Sequence, residues 1–251
     1  MDPAQLLLQL QKKSPAAGYV FLGNELFSRD GCRKALLEAA LPPGERESGL
    51  VQYDLAEASL QDVVEDARTL SLFAGARMIV GYNAENVLPR ARETEDEEEA
   101  SPPGAEILYA YFRDPTPGVV VLFEAIRFDW RDREEKKKIE RLARFFQAVP
   151  VKVEFHRLDE RAVLESARGL ALKLRLSIAG ELLAELVEAL GYDMARIANE
   201  ISKLDIYAGP QQEITRETLA ALVLLFETDR DLRRESPDER LVMEKLVWEL
   251  T

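Results

Sequence analysis

Short apolar runs closed by glycine or a polar turn alternate with amphipathic stretches over the first 158 residues. Gly18-Tyr19-Val20-Phe21-Leu22-Gly23 predicts a buried strand, and Asn24 is placed to cap a helix with Leu26, Phe27, Leu36 and Leu37 on its apolar face. Leu50-Val51-Gln52-Tyr53-Asp54-Leu55 predicts a second strand. Ser59-Leu60-Gln61-Asp62 opens the next helix with a capping pattern and turns Val63, Val64, Ala67 and Leu70 inward. Ala76–Tyr82, Gly118–Glu124 and Val151–Phe155 supply three more strands. Helices are expected at 105–112 and 131–147, the second with Ile139, Leu142, Phe145 and Phe146 on one side. Strands and helices alternating at this spacing predict a parallel sheet covered on both faces, in an α/β domain ending near Leu158.

The pattern then changes. Residues 160–174, 178–190, 194–207 and 215–225 all carry helical periodicity, broken at Ser177, Gly191-Tyr192-Asp193 and Gly209-Pro210. No strand candidate follows Phe155, so a small all-helical domain is expected behind the sheet.

The joint between the second helix and the third strand, Thr69-Leu70-Ser71-Leu72-Phe73-Ala74-Gly75-Ala76-Arg77, admits two readings. Leu72 and Phe73 either close the core between helix and strand, as most Leu and Phe do, or face outward as a compact apolar plug for a partner.

Composition narrows the chemistry. A 251-residue chain with 47% hydrophobic and 31% charged residues can form one large or two smaller cores. No apolar run reaches the ~18 residues of a membrane span, and the N-terminus lacks a secretory signal. Cys32 is the only cysteine, which excludes an internal disulfide, fits a reducing cytoplasm, and reads as a small buried apolar residue. A net charge of −13 argues against nucleic-acid binding driven by the chain's own field. Glu93–Glu99, running into Ser101-Pro102-Pro103-Gly104, reads as a solvated loop rather than a metal site. Lys136-Lys137-Lys138, beside Glu134 and Glu135, reads as a mixed solvated helix face.

An α/β domain followed by a helical one raises the question of a nucleotide. A phosphate loop needs a glycine-rich turn ending in Lys-Ser/Thr, and Gly23-Asn24-Glu25-Leu26-Phe27 has neither; Glu25 brings negative charge where a phosphate would lie. The strand Val119–Phe123 ends in a single carboxylate, Glu124, without an Asp-Glu pair. His156 is the sole histidine, and its place at a strand exit favours a structural or surface role. No CxxC, HExxH or GxGxxG pattern occurs.

Taken in order, Tyr19-Val20-Phe21-Leu22-Gly23-Asn24-Glu25, Leu70-Ser71-Leu72-Phe73-Ala74 and Gly118-Val119-Val120-Val121-Leu122 resemble the delta-subunit family of the bacterial DNA polymerase III clamp loader. In the helical part, Leu186–Gly191 and Asp193–Glu200 with Ile201, Lys203 and Leu204 extend the resemblance over nearly the whole chain. It implies an AAA+-like α/β domain without a P-loop at 1–158, a three-helix lid at 159–222, and a shortened helical collar at 223–251. In the expected collar, the join near Leu222–Phe226 reads as a missing internal stretch.

The implied activity is non-catalytic, in a subunit of the DNA-directed DNA polymerase (nucleotidyltransferase) holoenzyme that binds and opens the ring-shaped sliding clamp during replication. Leu72 and Phe73, flanked by Leu70 and Ser71, would enter the clamp's apolar pocket. The implied partners are the sliding clamp (beta subunit), the ATPase subunits (gamma/tau), delta-prime and, within the complex, DNA. No cofactor, metal or membrane contact is expected, and the location is cytoplasmic. Two alternatives stay open at this point: a divergent AAA+ ATPase using Glu124, and a scaffold with Leu72 and Phe73 in its core.

Overall fold

The structure is a computed structural model that describes residues 1–69, 75–88, 104–208, 213–233, 240, 242 and 243. The chain divides into two compact units, Met1–Arg157 and Leu158–Thr251.

The first unit runs α1 (Pro3–Lys12), β1 (Gly18–Leu22), α2 (Leu26–Ala40), α3 (Arg46–Gly49), β2 (Leu50–Asp54), α4 (Leu60–Arg68), β3 (Arg77–Tyr82), α5 (Glu106–Phe112), β4 (Val119–Ala125), α6 (Arg133–Phe145) and β5 (Val151–Glu154). Every neighbouring strand pair is parallel, in the order β2-β3-β4-β1-β5. Composition explains that order. The two runs buried along their whole length, β1 and β4, lie inside the sheet, whereas β2 and β5, which carry Gln52, Asp54, Lys152 and Glu154, form its edges.

The two-residue side-chain period of a strand splits the core into two layers. Val20, Leu22, Ile79, Val121 and Phe123 face α4, α5 and α6, where Val63, Val64, Leu108, Ile139, Leu142 and Phe145 cover them. Tyr19, Phe21, Met78, Val80 and Leu122 face the opposite way, onto Leu6 of α1 and Cys32 and Leu36 of α2.

Two local expectations change. Helix α1 has no counterpart in the periodicity reading, yet its signal stands in the sequence. Asp2 and Gln5 form a reciprocal capping box around Pro3, and Leu6 is buried. The residue before it guards an open edge: the Met1 amino group donates to the Lys152 carbonyl (2.8 Å), and the Met1 carbonyl accepts from the Glu154 N–H (3.1 Å). In α2, Glu25 is the N-cap rather than Asn24. The buried stripe there is Arg29, Cys32 and Leu36, and Leu26 is 46% exposed. Arg29 takes a place on the inward stripe while its guanidinium pairs with the neighbouring Asp30 at 2.7 Å. The cap of α4 forms as predicted, with the Ser59 side chain accepting from Asp62 N–H.

The second unit contains α7 (Glu160–Leu174), α8 (Gly180–Ala189), α9 (Met194–Ala208) and α10 (Arg216–Leu232). Leu183, Leu186 and Val187 of α8 and Met194, Ile197, Ile201 and Leu204 of α9 are buried at three- and four-residue steps. The turn between them is left-handed at Gly191 and Tyr192. A single parallel bridge joins Ile178 to Ile214, an extended pairing that the helical periodicity does not reveal. Helix α10 continues unbroken through Leu222–Phe226, beyond the end expected at Leu225. The acidic run Glu93–Glu99, the break at Gly209-Pro210 and most of the chain after Arg233 lie outside the described residues.

Cys32 is fully buried and its Sγ–H points to the Pro3 carbonyl. Burial, followed by the Glu25 and Asp2 carboxylates, pushes the thiol up to about 12. A disulfide reagent at about pH 8 should label native Cys32 at least ~100-fold more slowly than the thiol of the urea-unfolded chain. Equal rates would place Cys32 outside the core.

Candidate functional site

Parallel strands send their following turns to one edge of the sheet, where α/β folds place ligands beside helix N-termini. Here the chain fills that edge itself. Gly23 turns at φ 111°, and a β-carbon there would collide with the Phe155 carbonyl and lie 2.8 Å from Trp130 Nε1. The Trp130 indole N–H donates to the Leu22 carbonyl at 3.5 Å, and its ring packs on His156 with centroids 4.6 Å apart. The Glu25 carboxylate then accepts from Phe27 N–H (3.0 Å) and Ser28 N–H (2.9 Å), taking the α2 donors a phosphate would use. It is a fixed anion that answers the positive end of the helix.

Glu124 completes the closure. It is 2% exposed, 3.6 Å from Arg33 Nη1, and its Oε1 has no hydrogen-bond partner. Arg33 also donates to the Tyr82 hydroxyl and lies over the Tyr82 ring. Burial raises the Glu124 carboxyl above its ordinary value; Arg33 and then Arg29 pull it back, and Asp30 adds to the rise. This carboxylate is turned to arginines of α2, an arrangement suited to an internal ion pair. Among the described residues no group of three or more His, Cys, Asp or Glu side chains could hold a metal ion. No described helix is long and apolar enough to cross a membrane. Lys137 pairs with Glu134, and Lys138 lies over Phe128, so the lysine run is a solvated face.

The opposite edge of the sheet, where strands begin, holds the joint between α4 and β3. Leu70, Ser71, Leu72 and Phe73 lie outside the described residues, but both ends of their segment are described. At one end Thr69 closes α4, its N–H bonded to the Asp66 carbonyl and its hydroxyl to the Glu65 carbonyl. At the other, Ala76 N–H donates to Glu45 Oε2 (2.9 Å) and Arg77 N–H to the Gly118 carbonyl (2.9 Å). The Arg77 side chain crosses between the ends. Its Nη1 donates to the Asp66 and Thr69 carbonyls (2.9 and 3.0 Å), and its Nη2 to the Asp66 carboxylate (2.7 Å). Burial, with Asp66 beside it, raises the Tyr53 phenol, so Asp66 is flanked from β2 as well. Sequence reasoning passed over Asp66, Arg77 and Glu45. The available signal was a charged residue opening the otherwise apolar run Arg77-Met78-Ile79-Val80.

Comparison with family models matches residues 19–149 to "DNA polymerase III, delta subunit", a span of more than half the chain. The chain belongs to the DNA polymerase III delta-subunit family. Delta subunits are components of the clamp loader used in DNA replication. Among solved structures, the Bacillus subtilis DNA clamp loader delta protein (YqeN) aligns with a TM-score of 0.61 at 18% identity, over 99% of this chain and 72% of that one. A RuvB mutant of Thermotoga maritima aligns with a TM-score of 0.51 at 9% identity, over 90% of this chain and 68% of that one. At such identities the likeness is one of fold, and it agrees with the AAA+-like α/β architecture of this delta chain. Comparison with curated protein sequences finds no match.

A glutamate whose folded pKa is raised contributes stability fully below its unfolded value, near ~4.3, and loses that contribution as pH rises through the folded value. The variant Glu124→Gln cannot ionise. Its stability relative to the parent, from urea unfolding, should therefore shift in favour of Gln between about pH 4 and pH 8. A constant difference, or one moving the other way, would contradict the burial of an ionising Glu124.

Proposed function

We propose that this delta chain is a non-catalytic subunit that binds the sliding clamp and favours an opened ring, with Leu72 and Phe73 as the apolar plug and Leu70 and Ser71 beside them. The observation that carries the reading is the Glu25 carboxylate on the first N–H groups of α2. A chain that satisfies its own phosphate cradle has its remaining function elsewhere, and the α4–β3 joint at the opposite edge is the segment assigned to it here.

The mechanism is differential binding. Desolvating one leucine and one phenylalanine contributes about 3–6 kcal/mol before association costs, enough to bias a ring strained in its closed form if the open form accepts the plug better. ATP-binding partners (gamma/tau), with delta-prime, would decide when the plug is presented, and DNA would be met inside the assembly. The division of the second unit into a lid at 159–222 and a collar remnant at 223–251 belongs to the same proposal, as does a cytoplasmic setting.

The double variant Leu72→Ala, Phe73→Ala should lose clamp affinity by about 100-fold or more in calorimetry, with its thermal midpoint close to that of the parent. Unchanged affinity in a folded double variant would remove these residues from the interface.

A further inference from the structure

We infer that the outward face of α6 is a contact surface for the phosphate backbone of a nucleic-acid duplex. This surface is separate from the α4–β3 joint, and every residue of it is described.

Helix α6 buries Ile139, Leu142 and Phe145 on one side. Its other side carries, at helical spacing, the exposed residues Arg133, Lys136, Lys137, Glu140, Arg141 and Arg144. Ion pairs along the helix would ordinarily neutralise such a face. Here the carboxylates are committed at the helix start instead. Asp132 accepts from the Glu134 and Glu135 N–H groups (both 2.9 Å), Glu135 accepts from the Asp129 N–H (2.6 Å), and Glu134 pairs with Lys137 at 3.0 Å. They answer the positive end of the helix and leave its cations behind. Among the described residues the side chains of Arg133, Lys136, Arg141 and Arg144 have no ion pair or hydrogen bond, and Glu140 between them makes none either.

The make-up of the face selects the partner. Protein interfaces place aromatic and other apolar side chains at their centre and are poor in lysine, whereas every exposed residue of α6 is charged. Single-stranded nucleic acid is gripped by aromatic side chains on which its bases stack, but Phe145 and the adjoining Phe146 are buried. What remains is a row of cations about 16 Å long from Arg133 to Arg144, suited to a regular row of phosphates on a duplex. Such contacts hold the backbone and read no bases.

The net charge of −13 limits the strength of this contact without forbidding it. At ~0.1 M salt, charges more than about 10 Å away are screened, whereas cations touching phosphates displace counterions directly. Binding is therefore local to α6 and independent of the field of the whole chain.

The test titrates a fluorescein-labelled DNA duplex of about 20 base pairs with the full chain and follows anisotropy as salt rises from about 60 to about 200 mM. Four neutralised phosphates give a slope of log affinity against log salt of about −3.6. The triple variant Arg133→Gln, Arg141→Gln, Arg144→Gln should bind about ten-fold or more weakly at ~100 mM salt, with a slope of about −0.9. The control variant Lys12→Gln, Lys13→Gln, Lys34→Gln removes the same charge from exposed positions at α1 and α2, and should stay within about two-fold of the parent.

A parent chain that leaves the duplex unbound at ~100 mM salt would overturn the inference, as would a triple variant that binds like the parent. Equal weakening in the control variant would also overturn it, because overall charge rather than α6 would then be responsible. If the triple variant loses affinity for the sliding clamp in calorimetry and keeps it for the duplex, the face serves an acidic protein surface and the inference fails. The clamp-binding reading is judged separately: Leu72→Ala, Phe73→Ala should leave duplex binding as in the parent, whatever it does to the clamp.

Discussion

All five strands of the sheet run in one direction, and that constraint sorts the chemistry of the first unit onto opposite edges. The turns after β1 and β4 reach the edge where a nucleotide would lie, whereas the entry to β3 lies on the other. Along the first edge the chain answers its own polar groups: Glu25 serves the α2 donors, Arg33 faces Glu124, and Trp130 packs over Gly23. Along the second, Arg77, Glu45 and Gly118 define the base of the α4–β3 joint. One edge is internally satisfied, and the other carries the two described ends of the α4–β3 joint.

Electrostatics supports this division more clearly than overall charge does. The net charge of −13 says little about where function resides. Placement says more. The part-buried ion pairs Arg33 with Glu124 and Arg77 with Asp66 both join a helix to a strand end. Pairs of this kind add little net stability over apolar packing but penalise misplacement, because a separated partner leaves a charge without compensation. At Glu124 the pairing is incomplete and burial raises the carboxyl. At Arg77 three contacts to Asp66 and Thr69 complete the arrangement.

Much of the fold was legible because its inner strands β1 and β4 are nearly unbroken apolar runs. Val119–Ala125 has no polar residue before Glu124, and that alone places it inside a parallel sheet. Helix α1 escaped because its signal is a capping box rather than a long amphipathic period. The face of α2 was misjudged because a buried arginine, Arg29, turns the stripe away from Leu26. At the joint, the apolar pair Leu72-Phe73 was legible as a motif. The surroundings of the two described ends of that segment were not, because Glu45, Asp66, Arg77 and Gly118 are brought together only by the tertiary fold. An isolated charged residue at a strand start carries no periodic signal, although Arg77 proved to be the link between α4 and the sheet.

A clamp bound as proposed meets this delta chain at the strand-entry edge and leaves the opposite edge uncovered. Hydrogen exchange of the full chain with and without saturating clamp tests it most directly. Protection centred on residues 65–77 is expected, with the turns at Gly23–Ser28 and Asp129–Asp132 unchanged. Protection at those turns, with none at the α4–β3 joint, would contradict it.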